Sequence, residues 1–234
     1  MSLAKYLSVS LIAISAGAAS AGEFYQNASP QTLTQNGIEQ GQATHVTFPT
    51  LQYNGTAGQF IGSFGSGADA FLRFFCFEAQ GAGGPAEYTL HTAPPPLDAA
   101  KYESLQRLYD RFYPTHGFTD FYNAGQTSFG HFDGGIAIGS SGATDAAAFQ
   151  LAVWEIVFGT GLAAPGPNPY AAETTAMLAD LVNSTGYQNW IIYTFTNDSQ
   201  QDFVTATLRV PEPGSLALAG LALAGLGFVR RRRS

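Results

Sequence analysis

Up to about residue 90 the apolar positions fall in short blocks separated by Gly, Asn and Pro, a pattern of strands and turns. The stretch ATHVTFPT (43–50) reads as a strand. LQYNGTAGQFIGSF (51–64) sets Asn54-Gly55, a tight-turn dipeptide, between two apolar-rich runs and so predicts a hairpin turn at that point. AFLRFFCFE (70–78) is apolar on both alternating faces, as expected of a strand covered on each side. EYTLHTA (87–93) completes this region, and Pro94, Pro95 and Pro96 end it, since proline cannot donate to a sheet.

The apolar period then lengthens. In LDAAKYESLQRLYDRFYP (97–114), Tyr102, Leu105, Leu108, Tyr109 and Phe112 form one helical stripe that Pro114 stops. TDAAAFQLAVWEIVF (144–158) predicts a helix capped by Thr144 or Asp145 and ended by Gly159. A third helix is expected in NPYAAETTAMLADLVNSTG (168–186), with Asn168 as cap, Pro169 in the first turn and a stop near Gly186. NWIIYTFTN (189–197) and DFVTATLRV (202–210) flank a polar turn around Asp198 and read as a closing hairpin. The order predicts an α+β fold: a mainly antiparallel β sandwich or barrel, with a three-helix insert over about 97–186.

The two ends differ from this body. Residues 1–21 have the parts of a secretory signal peptide: Lys5, an apolar stretch, and Ala19-Ser20-Ala21, with cleavage expected between Ala21 and Gly22. At the other end, Pro211-Glu212-Pro213 is followed by a Gly-rich apolar segment (215–229) and by Arg230, Arg231, Arg232 and Arg233. The apolar segment is shorter than the ~20 residues of a comfortable span, and the arginines would hold its end on the cytoplasmic face. These three parts, in this order, resemble the PEP-CTERM sorting signal of Gram-negative bacteria. The resemblance implies passage through the general secretion machinery and a transient inner-membrane anchor on a transmembrane segment. An exosortase would then recognise Pro211, Glu212 and Pro213 and remove the tail, leaving the protein at the cell surface or outside the cell. The chain thus divides into a signal peptide (1–21), a β-rich domain (22–210) and a sorting signal (211–234).

Between the two ends five basic side chains face 16 acidic ones, a net charge of about −11. Nucleic acid and anionic lipid are poor partners for such a surface. Aromatic residues at 13% and charged residues at 12% fit a packed exported domain rather than a disordered one. His116, Asp120, His131 and Asp133 share one loop but match no metal-ligand spacing, so no metal is expected. GQFIGSFGSGAD lacks the Lys-Ser/Thr of a phosphate loop, and G-x-S-x-G is absent; no cofactor and no serine hydrolase chemistry are expected.

Cys76 is the only cysteine. In an oxidising compartment an unpaired thiol calls for an explanation, although a free cysteine is also a good small core residue. Gln150 poses a matching problem, being an amide inside the apolar helix FQLAVWEIVF. A buried amide without partners costs roughly 1–3 kcal/mol. Attack of the Cys76 sulfur on the Gln150 carboxamide would expel ammonia, leave an internal thioester and answer both problems. An ordinary buried cysteine beside a hydrogen-bonded glutamine is the other reading. The motifs Phe75-Cys76-Phe77 and Gln150, Ala152, Val153, Trp154 resemble those of the thioester domains of bacterial surface proteins, with Phe149 where such domains usually carry Thr. The resemblance implies a Cys76–Gln150 thioester supported by Phe75, Phe77 and Trp154; Glu155, next to Trp154, would either assist the acyl chemistry or pair with an arginine. It further implies covalent adhesion to a surface amine or hydroxyl on an unidentified polysaccharide or protein target, by single-turnover acyl transfer rather than enzyme catalysis. Gln80, four residues after Cys76, lacks the spacing and flanking glycines of complement-type thioesters. The alternative function is that of a non-covalent structural or polysaccharide-matrix protein of a biofilm.

Overall fold

The strand that carries Cys76 is covered on both faces, and the rest of the fold explains how. The computed structural model describes residues 31–47, 52–64, 71–78, 85–92, 96–113, 142–159, 170–182 and 190–208, all within the compact unit formed by residues 20–211. Along the chain run β1 (Gln31–Thr47), β2 (Gln52–Phe64), β3 (Phe71–Cys76), β4 (Ala86–His91), α1 (Ala99–Phe112), α2 (Gly142–Phe158), α3 (Ala171–Val182), β5 (Trp190–Thr196) and β6 (Phe203–Leu208). The strands close into an antiparallel barrel in the order β1-β2-β3-β6-β5-β4, with β4 returning to β1. The α+β architecture with a helical insert is therefore as expected, and of the two sheet arrangements foreseen it is the barrel.

Two local readings change. Asn54 and Gly55 form no turn: they lie inside β2, opposite His45 and Thr44 of β1. The turn signal is a property of two residues, whereas the long β1–β2 ladder fixes the register around them. The second helix begins at Gly142, ahead of the expected caps Thr144 and Asp145. The caps expected for α3, Asn168 and Pro169, and its stop near Gly186 lie outside the described residues. The closing hairpin holds throughout, from Trp190↔Leu208 to Phe195↔Phe203.

Successive side chains of a strand point to opposite faces, and β3 sends them into two different cores. Leu72, Phe74 and Cys76 join a cluster with Phe195 and Phe203 from the barrel and Ala147, Ala148, Leu151 and Trp154 from α2. Phe75 and Phe77 join a second cluster with Ile192 and Val204, and with Leu105, Leu108 and Tyr109 from α1. Helix α2 contributes to both, its other side supplying Phe149, Ala152 and Val153 to the second. That explains why α2 is apolar nearly all round.

Polar anchors hold the helices to the barrel. Asp98 caps α1, accepting from the Lys101 N–H at 2.9 Å. The Tyr102 hydroxyl donates to the carbonyls of Thr92 (2.8 Å) and Ile192 (3.2 Å), and that of Tyr109 to Val204 (3.3 Å). Thr174 of α3 reaches the Ala148 carbonyl of α2 at 3.2 Å.

Candidate functional site

The site begins where β2 leaves β3. Their pairing reaches Phe60↔Phe74, while β6 stays beside β3 through Phe75↔Val204 and Cys76↔Phe203. The Phe77 N–H continues the ladder towards β6, donating to the Asp202 carbonyl at 3.0 Å. Neighbouring residues of a strand direct their N–H groups to opposite edges. The N–H and C=O of Cys76 therefore face the edge that β2 has left. Buried without partners they would cost roughly 1–3 kcal/mol each.

Gln150 fills that edge. Its Oε1 accepts from the Cys76 N–H at 2.8 Å, and its Nε2 donates to the Cys76 carbonyl at 2.6 Å. Gln150 is wholly buried and Cys76 is 3% exposed. The amide that the sequence places in an apolar helix is thus not left unsatisfied; the backbone of the cysteine partners it at both ends. The two hydrogen bonds close a ring in which Cδ of Gln150 faces Cα of Cys76. The sulfur is carried on Cβ of that residue, whose side chain projects out of the strand's hydrogen-bonding plane.

Around the sulfur the medium is apolar. Burial raises the Cys76 thiol well above the usual thiol range. Tyr53 is raised by burial and then by negative charge on Cys76, against a backbone hydrogen bond to Thr56. Tyr88 is pushed up to about 12 by burial, then by Asp202 and Cys76. Tyr88 shares the core cluster of Cys76, and Tyr53 packs against it. Trp154 meets Tyr53 edge-on, with ring centroids 5.1 Å apart and planes at 68°.

The supporting residues separate into three places. Trp154 shares the core cluster of Cys76, whereas Phe75 and Phe77 belong to the cluster beneath the helices. Phe149 packs on Phe75 with centroids 4.6 Å apart, and on Tyr109 at 5.0 Å. The aromatic ring at this position packs in a slot lined by the rings of Phe75, Tyr109 and Tyr113. Glu155 lines a groove of about 120 Å³ between α2 and α3 with Val46, Leu151 and Thr174, and no described contact joins it to Cys76. The Tyr53 and Tyr88 neighbours were not foreseen; Tyr53 directly precedes the dipeptide read as a turn, and both are distant from Cys76 along the chain.

Among the described residues no group of His, Cys, Asp and Glu could hold a metal ion. His116, Asp120, His131, Asp133 and Gln80 lie outside them, as do Ala21 and Gly22, Pro211 to Pro213, and the segment 215–229 with Arg230 to Arg233. No helix of the described residues is long and apolar enough to cross a membrane, which leaves membrane-spanning β-barrels unaddressed.

Residues 209–233 match the PEP-CTERM protein-sorting motif. This motif directs export through a membrane-associated step before release, with an exosortase as processing partner. No curated protein and no solved structure matches the chain. The likeness of the body to thioester domains accordingly rests on its two short sequence motifs.

Proposed function

We propose that the exported domain forms an internal thioester between Cys76 Sγ and Gln150 Cδ and uses it once, to attach covalently to an amine or hydroxyl at an envelope or extracellular surface of a Gram-negative bacterium. The observation that carries this reading is the double hydrogen bond between the Gln150 carboxamide and the backbone of Cys76 in a fully buried setting. It brings the acyl carbon to the residue bearing the only thiol, in a place closed to water. Leaving-group ability falls as thiol pKa rises. The buried, strongly basic sulfur would therefore also protect the acyl bond from hydrolysis. In use, a nucleophile adds to Cδ and the sulfur departs as a thiol, leaving an amide or ester. There is no second turnover.

The test is the mass of the soluble body, residues 22–210. It should be one ammonia below the sequence mass with no titratable thiol, and Cys76→Ala and Gln150→Ala should each restore the full mass of their own sequence. Methylamine should add to the wild type and release one thiol. Full mass and one thiol in freshly prepared protein would refute the thioester.

One observation favours a second reading. Gln150 already has partners for its carbonyl and an N–H, so it can remain an amide at little cost. A non-covalent structural or polysaccharide-matrix protein of a biofilm, with Cys76 as a core residue, is the function that follows if no ammonia is lost.

A further inference from the structure

The hydrogen bond that caps the edge of β3 lies on the atom where charge appears during acyl transfer. We infer that the backbone N–H of Cys76 is the oxyanion donor of the reaction at its own side chain; this rests on the thioester reading above.

The geometry supplies three elements. Oε1 of Gln150 is the carbonyl oxygen of the reacting group, and the Cys76 N–H meets it at 2.8 Å. The N–H has no role in the β3–β6 ladder, because Phe77 supplies the next bond to β6. The sulfur belongs to the same residue as the donor, on a side chain that projects out of the strand's hydrogen-bonding plane.

When Sγ attacks, the new Sγ–Cδ bond takes its electrons from sulfur, and the carbonyl π pair moves onto Oε1. The oxyanion then faces the N–H that already donates to it. Collapse restores the carbonyl and breaks Cδ–Nε2, and the nitrogen leaves as ammonia carrying the thiol proton. Attack by an external amine on the thioester places negative charge on the same Oε1. Collapse then expels Sγ, which takes up the proton that the amine loses. Both directions balance with no further reagent. A preorganised N–H in a dry site acts most strongly where charge develops. The Cys76 carbonyl, which holds Nε2 at 2.6 Å, keeps the carboxamide from flipping and fixes which atom meets the N–H.

Two measurements test this on the soluble domain. Infrared difference spectra between wild type and Cys76→Ala, with ¹³C in the glutamine carbonyls, isolate the thioester stretch. A stretch below that of a simple thioester in hydrocarbon solvent is expected; the hydrocarbon value, in protein shown by mass to have lost ammonia, overturns the inference alone. In the second, Cys76 is replaced by its α-hydroxy acid analogue, so that an ester oxygen stands where the N–H was and the thiol remains. Thioester formation and methylamine uptake should slow by about 10²–10³-fold. Unchanged rates overturn the inference while leaving the thioester intact. Absence of ammonia loss in the wild type overturns both readings.

Discussion

Glu39 and Arg73 form an ion pair with both side chains wholly buried, Arg73 Nε lying 2.7 Å from Glu39 Oε2. A second guanidinium nitrogen approaches Oε1 at 3.3 Å, and Gln59 adds a donor to Oε2 at 2.9 Å. Glu39 sits at a register shift of β1, between Ile38 and Gln40, and such bulges re-aim a side chain. The pair ties together three adjacent strands, β1, β2 and β3.

Arg73→Met should therefore leave a buried carboxylate with only Gln59, and destabilise the domain by about 3–5 kcal/mol. Adding Glu39→Gln to that variant should recover a large part of the loss. Urea unfolding of the two variants measures it, and equal loss in both would show that the charge of Glu39 is not the source.

The cap on β3 can be weighed apart from any acyl chemistry. In a Cys76→Ala background no thioester forms, yet the backbone of residue 76 still faces Gln150. Gln150→Leu should then cost about 2–5 kcal/mol, from two buried backbone groups losing their partners. A cost below about 1 kcal/mol would mean that the edge closes by itself.

Asp202 should set a pH dependence. Its carboxyl is pushed up to about 6 by burial; the Asn197 N–H opposes this, and Glu78 and Asp198 add to it. With the folded value above the ordinary 3.8, the native state holds the proton more tightly. Stability should fall as pH rises from about 4 to 6 and then level off. Asp202→Asn should flatten that segment of the stability–pH curve, and an unaltered slope would assign it to another group.

Gly62 marks a close approach of strands. A Cβ there would run into the Thr34 carbonyl of β1 and sit 2.8 Å from Phe74 Cε1. Backbone cannot yield as a flexible side chain can, so Gly62→Ala should cost about 1–3 kcal/mol in thermal or urea unfolding. A neutral substitution would show that β1 and β2 can separate locally.

Helix α1 was legible because its stripe repeats over several turns, with Leu105, Leu108 and Tyr109 as its buried residues, and α2 and α3 because cap and stop signals frame apolar runs. The last hairpin was legible because two apolar runs flank a short polar turn. Asn54-Gly55 misled because a dipeptide carries no information about the ladder on either side. Cys76 and Gln150 stood out as polar atoms in apolar runs. Their meeting through the backbone of Cys76 was not readable, because it depends on where β2 parts from β3. Arg73 lies in AFLRFFCFE, a run read as apolar on both faces, so its need for an acidic partner was not drawn from the sequence. Only the bulge in β1, hinted at by Gly37 with its positive φ of 130°, identifies Glu39 as that partner.

The pairing Cys76↔Phe203 has a consequence for timing. A chain that leaves the cytoplasm amino end first delivers β6 after every other described element, just ahead of the sorting tail. Until β6 docks, β3 has no partner at Cys76, and the opposite edge on which Gln150 sits is not yet defined. On the thioester reading, the Cys76–Gln150 bond could then be made only after nearly the whole domain had crossed the membrane, with the tail still held there. On that reading such a chain would stay inert during transit and gain its acyl bond only once outside the cytoplasm.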